Sequence, residues 1–370
     1  MAENDRRNYG IDLLRCLSML FVIILHLLGQ GGLVEQSAPM PGKYYILSFL
    51  QILAYCAVNL YGITTGYLMC KKSFRLSRIV NIWLITVFWS VAVSCVFFLF
   101  VPEQRTVKEL ISMFLPILRG RYWFFTAYFV VMLLSPVLNL LIKSLSQRQF
   151  HLLFAVLFLL FGIIPVGSLG YDVMRISGGN HFSWMIVLYL IGGYIRTNIP
   201  PSDTTHNKSS SLWLLCYFST AAVHLLYKIL VSIVGLYHYR NLFLNINSPF
   251  VITEAIFLFL YFRDLGEHIS SGSFLAKLLA FVAPGVYSVY VIHVHPLVFW
   301  NNHFISLLRP WDHWNTMHVV AAVLAAALGV FTVCVLLDTF RQKLFRLLNI
   351  DQAAAKISLC MENTIRKFVS

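Results

Sequence analysis

Arg15 and His26 lie 11 residues apart in the first apolar run of the sequence, Ile11 to Leu28. At 100° per residue that spacing is within about 20° of three whole helical turns, so on a helix the two side chains share one face, roughly 16 Å apart along the axis. A charged group and an imidazole on one stripe of a membrane helix belong against a bundle interior or a watery cavity, not lipid. An imidazole so placed suits proton transfer near neutral pH, and a guanidinium suits holding an anion. For Arg15 alone, snorkelling to the headgroups is an equally good account. Nothing structural requires an imidazole at position 26.

A second set of cations is KKSFRLSR, residues 71 to 78. Any single lysine there is best read as a topogenic charge. Arg75 and Arg78 are spaced i, i+3 and would share a helix face, where two guanidinium forks can grip phosphates bidentately.

Other candidates are weaker. Glu254 sits inside an apolar segment, SPFVITEAIF; an intramembrane carboxylate is expensive, and it would pair with Arg15, polarise His26 or belong to a structural ion pair. His293 lies beside Ser288 and Tyr290, where a hydrogen-bonded core histidine is the commoner role and catalysis the sharper one. His293 and His295 are two apart, so on a helix they point in different directions and make no metal pair. Trp123, with Tyr122 and Tyr128, fits an aromatic belt as well as a sugar-stacking platform. Arg119 and Arg121 precede the same apolar run on the outer side, against the topogenic trend, which points to an anionic acceptor such as a lipid-linked pyrophosphate glycan.

The elements that must position these residues are membrane helices. Of the 370 residues 59% are hydrophobic and 12% charged, with a mean hydropathy of +0.75; a soluble domain carries about a quarter charged residues. The fold class is all-α, a polytopic bundle of about ten spans, roughly 10–29, 45–69, 79–101, 122–142, 150–168, 183–197, 212–235, 248–262, 279–300 and 317–340. The net charge of +13 does not indicate nucleic acid, because the Lys and Arg residues sit in short loops, mostly on the side of the N-terminus. That asymmetry places both termini in the cytoplasm. The first run continues to spanning length without a small-residue cleavage site, so it reads as a retained helix. The 198–211 loop, Pro/Ser/Thr-rich, reads as a linker within one bundle. Residues 341–370 form a basic tail expected to lie on the membrane as an interfacial helix, leaving 1–340 as the transmembrane domain. The seven cysteines are scattered without CxxC or Cys/His spacing, so neither a disulfide framework nor a metal or redox site is indicated.

An Arg–x10–His stripe in the first span followed by Arg–x–x–Arg before the third resembles the acyltransferase family 3 integral-membrane proteins, bacterial enzymes that acylate, usually O-acetylate, sugars of envelope polysaccharides. NLYGITTGYLM (59–69), RYWFFTAYFVVMLLSPVLN (121–139), WMIVLYLIGGYIR (184–196) and YSVYVIHVHPL (287–297) are similar to further signatures of that family. The resemblance implies that Arg75 and Arg78 bind the nucleotide phosphates of acyl-CoA, that His26 is the catalytic residue and that Arg15 orients the donor. A long, thin pantetheine arm suits cations at an inner mouth with an imidazole deeper in the membrane. Neutral His26 would take the proton from an attacking sugar hydroxyl or accept the acyl group itself. The expected donor is acetyl-CoA or another acyl-CoA, with no permanently bound cofactor. The expected acceptor is a carbohydrate or lipid-linked glycan, and the site is the bacterial cytoplasmic (inner) membrane. No appended extracellular domain is evident in the sequence, so transfer would finish within the bundle or pass to partner acyl-transfer or polysaccharide-assembly proteins. The competing class is a transporter or flippase of an anionic or sugar substrate, since intramembrane charges also mark transport paths; no broken-helix internal repeat favours it. A purely structural partner in an assembly complex is the third class.

Overall fold

The structure is a computed structural model that describes residues 7–201, 208–299, 311 and 313–369. Part of the expected 198–211 linker, residues 202–207, lies outside the described residues. Those described contain helices and no strand.

The principal helices are α1 (Tyr9–Leu25), α2 (Pro41–Tyr55), α3 (Ala57–Met69), α4 (Leu76–Phe100), the short α5 (Val107–Phe114), α6 (Trp123–Ser144), α7 (Gln147–Phe158), α8 (Phe182–Asn198), α9 (Lys208–Ile233), α10 (Pro249–Glu267), α11 (Phe274–Val282), α12 (Val286–His293), α13 (Thr316–Leu347) and α14 (Ile350–Val369). Eight stretches of helix among the described residues are long and apolar enough to cross a membrane. The sixth and eighth expected spans correspond to α8 and α10, which have only 17 and 19 residues. α8 is buried on every side from Val187 to Gly193. A helix wrapped in protein all round answers to its neighbours rather than to bilayer thickness. α10 ends in the charges Arg263, Asp264 and Glu267, which shortens its apolar part.

α1 is the inner helix, packed against α2, α3, α10, α12 and α13. Its start is well specified. The Asn8 side chain caps the Ile11 N–H at 3.1 Å, and Asp12 in the first turn complements the positive end of the helix dipole. At His26 the α-helix gives way to a single π turn, His26–Gln30. Such bulges are rare and recur at functional sites.

α3 and α8 approach most closely. Gly62 and Gly66, four apart on α3, form a small-residue stripe of the kind that lets membrane helices touch backbone to backbone. A methyl group at Gly66 would overlap the Tyr189 carbonyl, and one at Gly192 would overlap the Ile63 carbonyl. Polar side chains stitch the same region together. Trp184 Nε1 donates to Asn59 Oδ1 at 3.0 Å, Asn59 Nδ2 donates to the Ile246 carbonyl at 2.7 Å, and Tyr189 donates to Asn139 Oδ1 at 2.7 Å. Arg196 donates to the Tyr67 hydroxyl at 3.0 Å. Three of the four signature segments thus hold one another in place.

α13 runs on to Leu347, and α14 turns back to pack on α4. Glu362 Oε1 accepts a hydrogen bond from the Leu76 N–H at 2.7 Å, so the C-terminal helix supplies the cap that α4 lacks in its own sequence.

Candidate active site

His26 borders a cavity of about 510 Å³, within the usual size range of small-molecule sites. The walls come from α1, α2, α3, the start of α6, α12 and the turn after it; they include Gln51, Tyr61, Arg121, Trp123, Asn180 and Tyr290. Asn180 ends a loop in which Leu169, Arg175 and Ser177 adopt positive φ. Each such non-glycine residue is strained. The Asp172 carboxylate holds the loop by accepting from Ile176 N–H at 2.9 Å and Ser177 N–H at 2.8 Å.

The imidazoles of His26 and His293 meet. His26 Nδ1 stands 3.2 Å from His293 Nε2, and His293 Nδ1 stands 2.6 Å from the Val289 carbonyl. A carbonyl only accepts, so His293 Nδ1 carries the proton. In a neutral His293 the other nitrogen, Nε2, is then an acceptor, and His26 Nδ1–H donates to it. The tautomer of His26 follows: its lone pair is on Nε2. Phe299 packs edge-on against the His26 ring, with centroids 4.6 Å apart.

Arg121 is the second polar feature of the cavity. Its side chain is 2% exposed, and its guanidinium grips Glu109 through both ends, Nη1 to Oε2 at 3.0 Å and Nη2 to Oε1. Ser94 donates to Glu109 Oε1 at 2.7 Å, and Arg121 Nη2 lies 2.6 Å from His295 Nε2. Burial raises the Glu109 carboxyl, but hydrogen bonds from Arg121 and Ser94 and the Arg121 charge outweigh it and hold the group below the ordinary carboxylate range. The positive charge expected at Arg121 is therefore matched by a carboxylate 12 residues earlier in the chain. Sequence reasoning missed Glu109 and the role of His295, because no local spacing links them to Arg121.

Arg15 does not line the cavity but sits behind its wall. The Tyr61 hydroxyl donates to the Arg15 carbonyl at 2.8 Å, and the Arg15 guanidinium is 3.4 Å from Asp12. Tyr61 meets Phe124 edge-on at 5.8 Å, and Phe124 stacks on Tyr128 at 6.1 Å. Tyr61 and Phe124, which line the cavity, thus form an aromatic layer on the side of Arg15. Arg78 donates to the Ser73 carbonyl at 2.9 Å, and Arg75 is exposed at the start of α4.

The remaining expected residues divide. Trp123 is 38% exposed at the cavity mouth. Arg119 is exposed and lies outside the cavity lining. Glu254 neither pairs with Arg15 nor borders the His26 cavity. It is fully buried, 3.6 Å from His224 on α9, and both carboxyl oxygens lack a hydrogen bond. The reason is rotational: α10 offers this face to α9, its main neighbour. No group of three or more potential metal ligands occurs among the described residues.

A family model for an acyltransferase domain, that of acyltransferase family 3, matches residues 8–339. The chain belongs to acyltransferase family 3. No curated protein and no solved structure matches the chain. The matched domain contains His26, His293, Arg121 and both walls of the cavity, and its apolar helices make the protein a multi-pass membrane acyltransferase. The family domain ends within α13, so α14 and its cap on α4 lie beyond it.

Proposed function

We propose that this acyltransferase moves an acyl group, acetyl foremost, from acyl-CoA to a hydroxyl of an envelope or cell-surface carbohydrate at the bacterial cytoplasmic membrane, with both termini in the cytoplasm. The observation that carries the reading is His26 at the wall of a cavity, with its lone pair directed to Nε2 by the hydrogen bond to His293. Arg75 and Arg78 would hold the donor phosphates at the end of the bundle where α1 begins. The pantetheine arm would pass the aromatic layer, with Arg15 orienting it. Trp123, Asn180 and Gln51 on the cavity wall offer an aromatic face and amide hydrogen bonds, a combination suited to a sugar ring.

The step balances with no further reactant. His26 Nε2 takes the acceptor hydroxyl proton as the oxygen attacks the thioester carbonyl; the C–O bond forms, the C–S bond breaks, and the thiolate of CoA receives the proton from His26. Attack by His26 Nε2 itself would use the same lone pair: the N–C bond forms as the C–S bond breaks and CoA leaves as thiolate, and the acceptor hydroxyl then displaces the imidazole, its proton passing to the thiolate. The paired charge of Arg121 favours an uncharged acceptor group beside it over the pyrophosphate expected from its sequence position.

The test is consumption of radiolabelled acetyl-CoA by purified protein in nanodiscs. Turnover by wild type that stops in folded His26→Ala supports the reading. A folded wild type that consumes no acyl-CoA, or a His26→Ala variant with unchanged turnover, removes it.

A further inference from the structure

A second, smaller cavity of about 70 Å³ lies beside His26. It shares His26, Gln30 and Phe299 with the larger one, so these side chains form the partition between the two spaces. Its other walls are aliphatic: Ile23 and Leu27 from the His26 end of the first helix, Val298 and Val330. His293 also borders it, but both nitrogens of that ring are engaged, one by Val289 and one by His26. Apart from His26 and Gln30 its lining carries no polar side chain free to bond, so the space is mainly apolar. At about 70 Å³ against about 510 Å³ it is much the smaller of the two spaces and suits a short group. A small apolar group fits this description better than solvent does.

We propose that this cavity is the seat of the acyl group and that Val330 and Val298 set the length of acyl chain the enzyme accepts. The inference rests on the acyl-transfer reading above. With the acyl methyl in the small cavity and the acceptor in the large one, the thioester carbonyl lies at the partition, beside His26. The acceptor hydroxyl approaches from the other side, so the same imidazole that takes its proton also borders the carbon under attack. The seat forms no bond; it orients the carbonyl and excludes longer chains. A methylene too many in a filled apolar pocket costs tenfold or more in kcat/KM, as a rough guide, and inserting one strains the surrounding side chains.

The experiment is a donor series of acetyl-, propionyl-, butyryl- and octanoyl-CoA with wild type, Val330→Ala, Val298→Ala and Val330→Met in nanodiscs. Val330 and Val298 are only partly buried, which favours folding of their variants; thermal melting and two independent positions guard against a folding failure. Wild type should fall about tenfold or more from acetyl to butyryl. Either alanine variant should raise butyryl relative to acetyl about tenfold, and Val330→Met should lower acetyl transfer while leaving inhibition by free CoA unchanged. A flat chain-length profile in an active wild type, or unchanged acetyl-to-butyryl ratios in both folded alanine variants, overturns the acyl seat and leaves the acyltransferase reading intact. No consumption of any donor overturns both.

Discussion

His26 Nδ1 lies 3.2 Å from His293 Nε2, and the far nitrogen of His293 is tied to the Val289 carbonyl. The two rings come from α12 and the π turn after α1, yet they form one hydrogen-bonded series with a defined direction. If His293 acts by fixing the His26 tautomer, His293→Ala should lower kcat about 10- to 100-fold with the KM for acyl-CoA little changed. His293→Gln, whose side-chain carbonyl can accept from His26 Nδ1–H, should recover part of the loss. Equal losses in both folded variants, or a loss confined to KM, would rule out this positioning role. Steady-state kinetics across pH make the check.

The Glu109–Arg121 pair predicts a stability effect. Removing one partner of a fully buried ion pair costs about 3–5 kcal/mol; Glu109 is partly exposed, so the cost here is smaller, but loss of the carboxylate still leaves the buried Arg121 charge uncompensated. Glu109→Gln should therefore lower the melting temperature of the solubilised protein more than the double change Glu109→Gln/Arg121→Gln does. Equal melting shifts for the single and double variants would remove the pair as a stabilising element.

The same carboxylate predicts a pH dependence with a definite sign. The folded pKa of Glu109 lies below its ordinary value. Its contribution is fully present above the ordinary glutamate pKa of about 4.3 and is lost as pH falls through the folded value. Acid melting curves of Glu109→Gln should accordingly be flatter below about pH 4.3 than those of wild type.

How much of this was legible in the chain depended on distance along it. The shared face of Arg15 and His26 follows from helical period alone, and α1 runs unbroken from one to the π turn that begins at the other. The pairing of His26 with His293 spans 267 positions; both residues were visible as candidates, but nothing local joins them. Arg121 read as a bare cation at a span end because Glu109 comes from a short helix, α5, that no transmembrane pattern marks. For Glu254 the sequence leaves Arg15, His26 and a structural ion pair open, because it shows that a carboxylate is enclosed but not which neighbour its face meets. The short α8 escaped the length rule for a span because other helices, rather than lipid, surround it. The small cavity has no sequence signal at all, since aliphatic residues line every helix of such a protein.

The position of Glu254 predicts a near-silent substitution. Glu254→Gln keeps shape and removes a carboxyl that touches neither cavity. Turnover of the folded variant should stay within about threefold of wild type, a difference of well under 1.4 kcal/mol. A loss of 100-fold or more would reassign Glu254 to the chemistry.

Contact between α3 and α8 predicts the opposite for a much smaller change. Gly66→Ala adds one methyl group against the Tyr189 carbonyl. Overpacking of this kind costs about 1–3 kcal/mol, which should appear as a lower melting temperature or a lower yield of folded protein. Serine at the exposed Gly42, where nothing lies within 4 Å, should have no such effect.

The π turn at His26 divides the first helix into two mechanical parts. Up to Leu25 each residue is locked by the regular ladder, so the distance from Arg15 to the imidazole has little play. From His26 to Gln30 the ladder is widened by one residue, which re-aims the side chains of this turn relative to those of the rod before it. Gln30 and His26, which border both cavities, lie on this re-aimed turn. The fold thus couples a regular rod, suited to measuring off a long donor, to a turn of different pitch that aims the imidazole at the place where bonds would be exchanged.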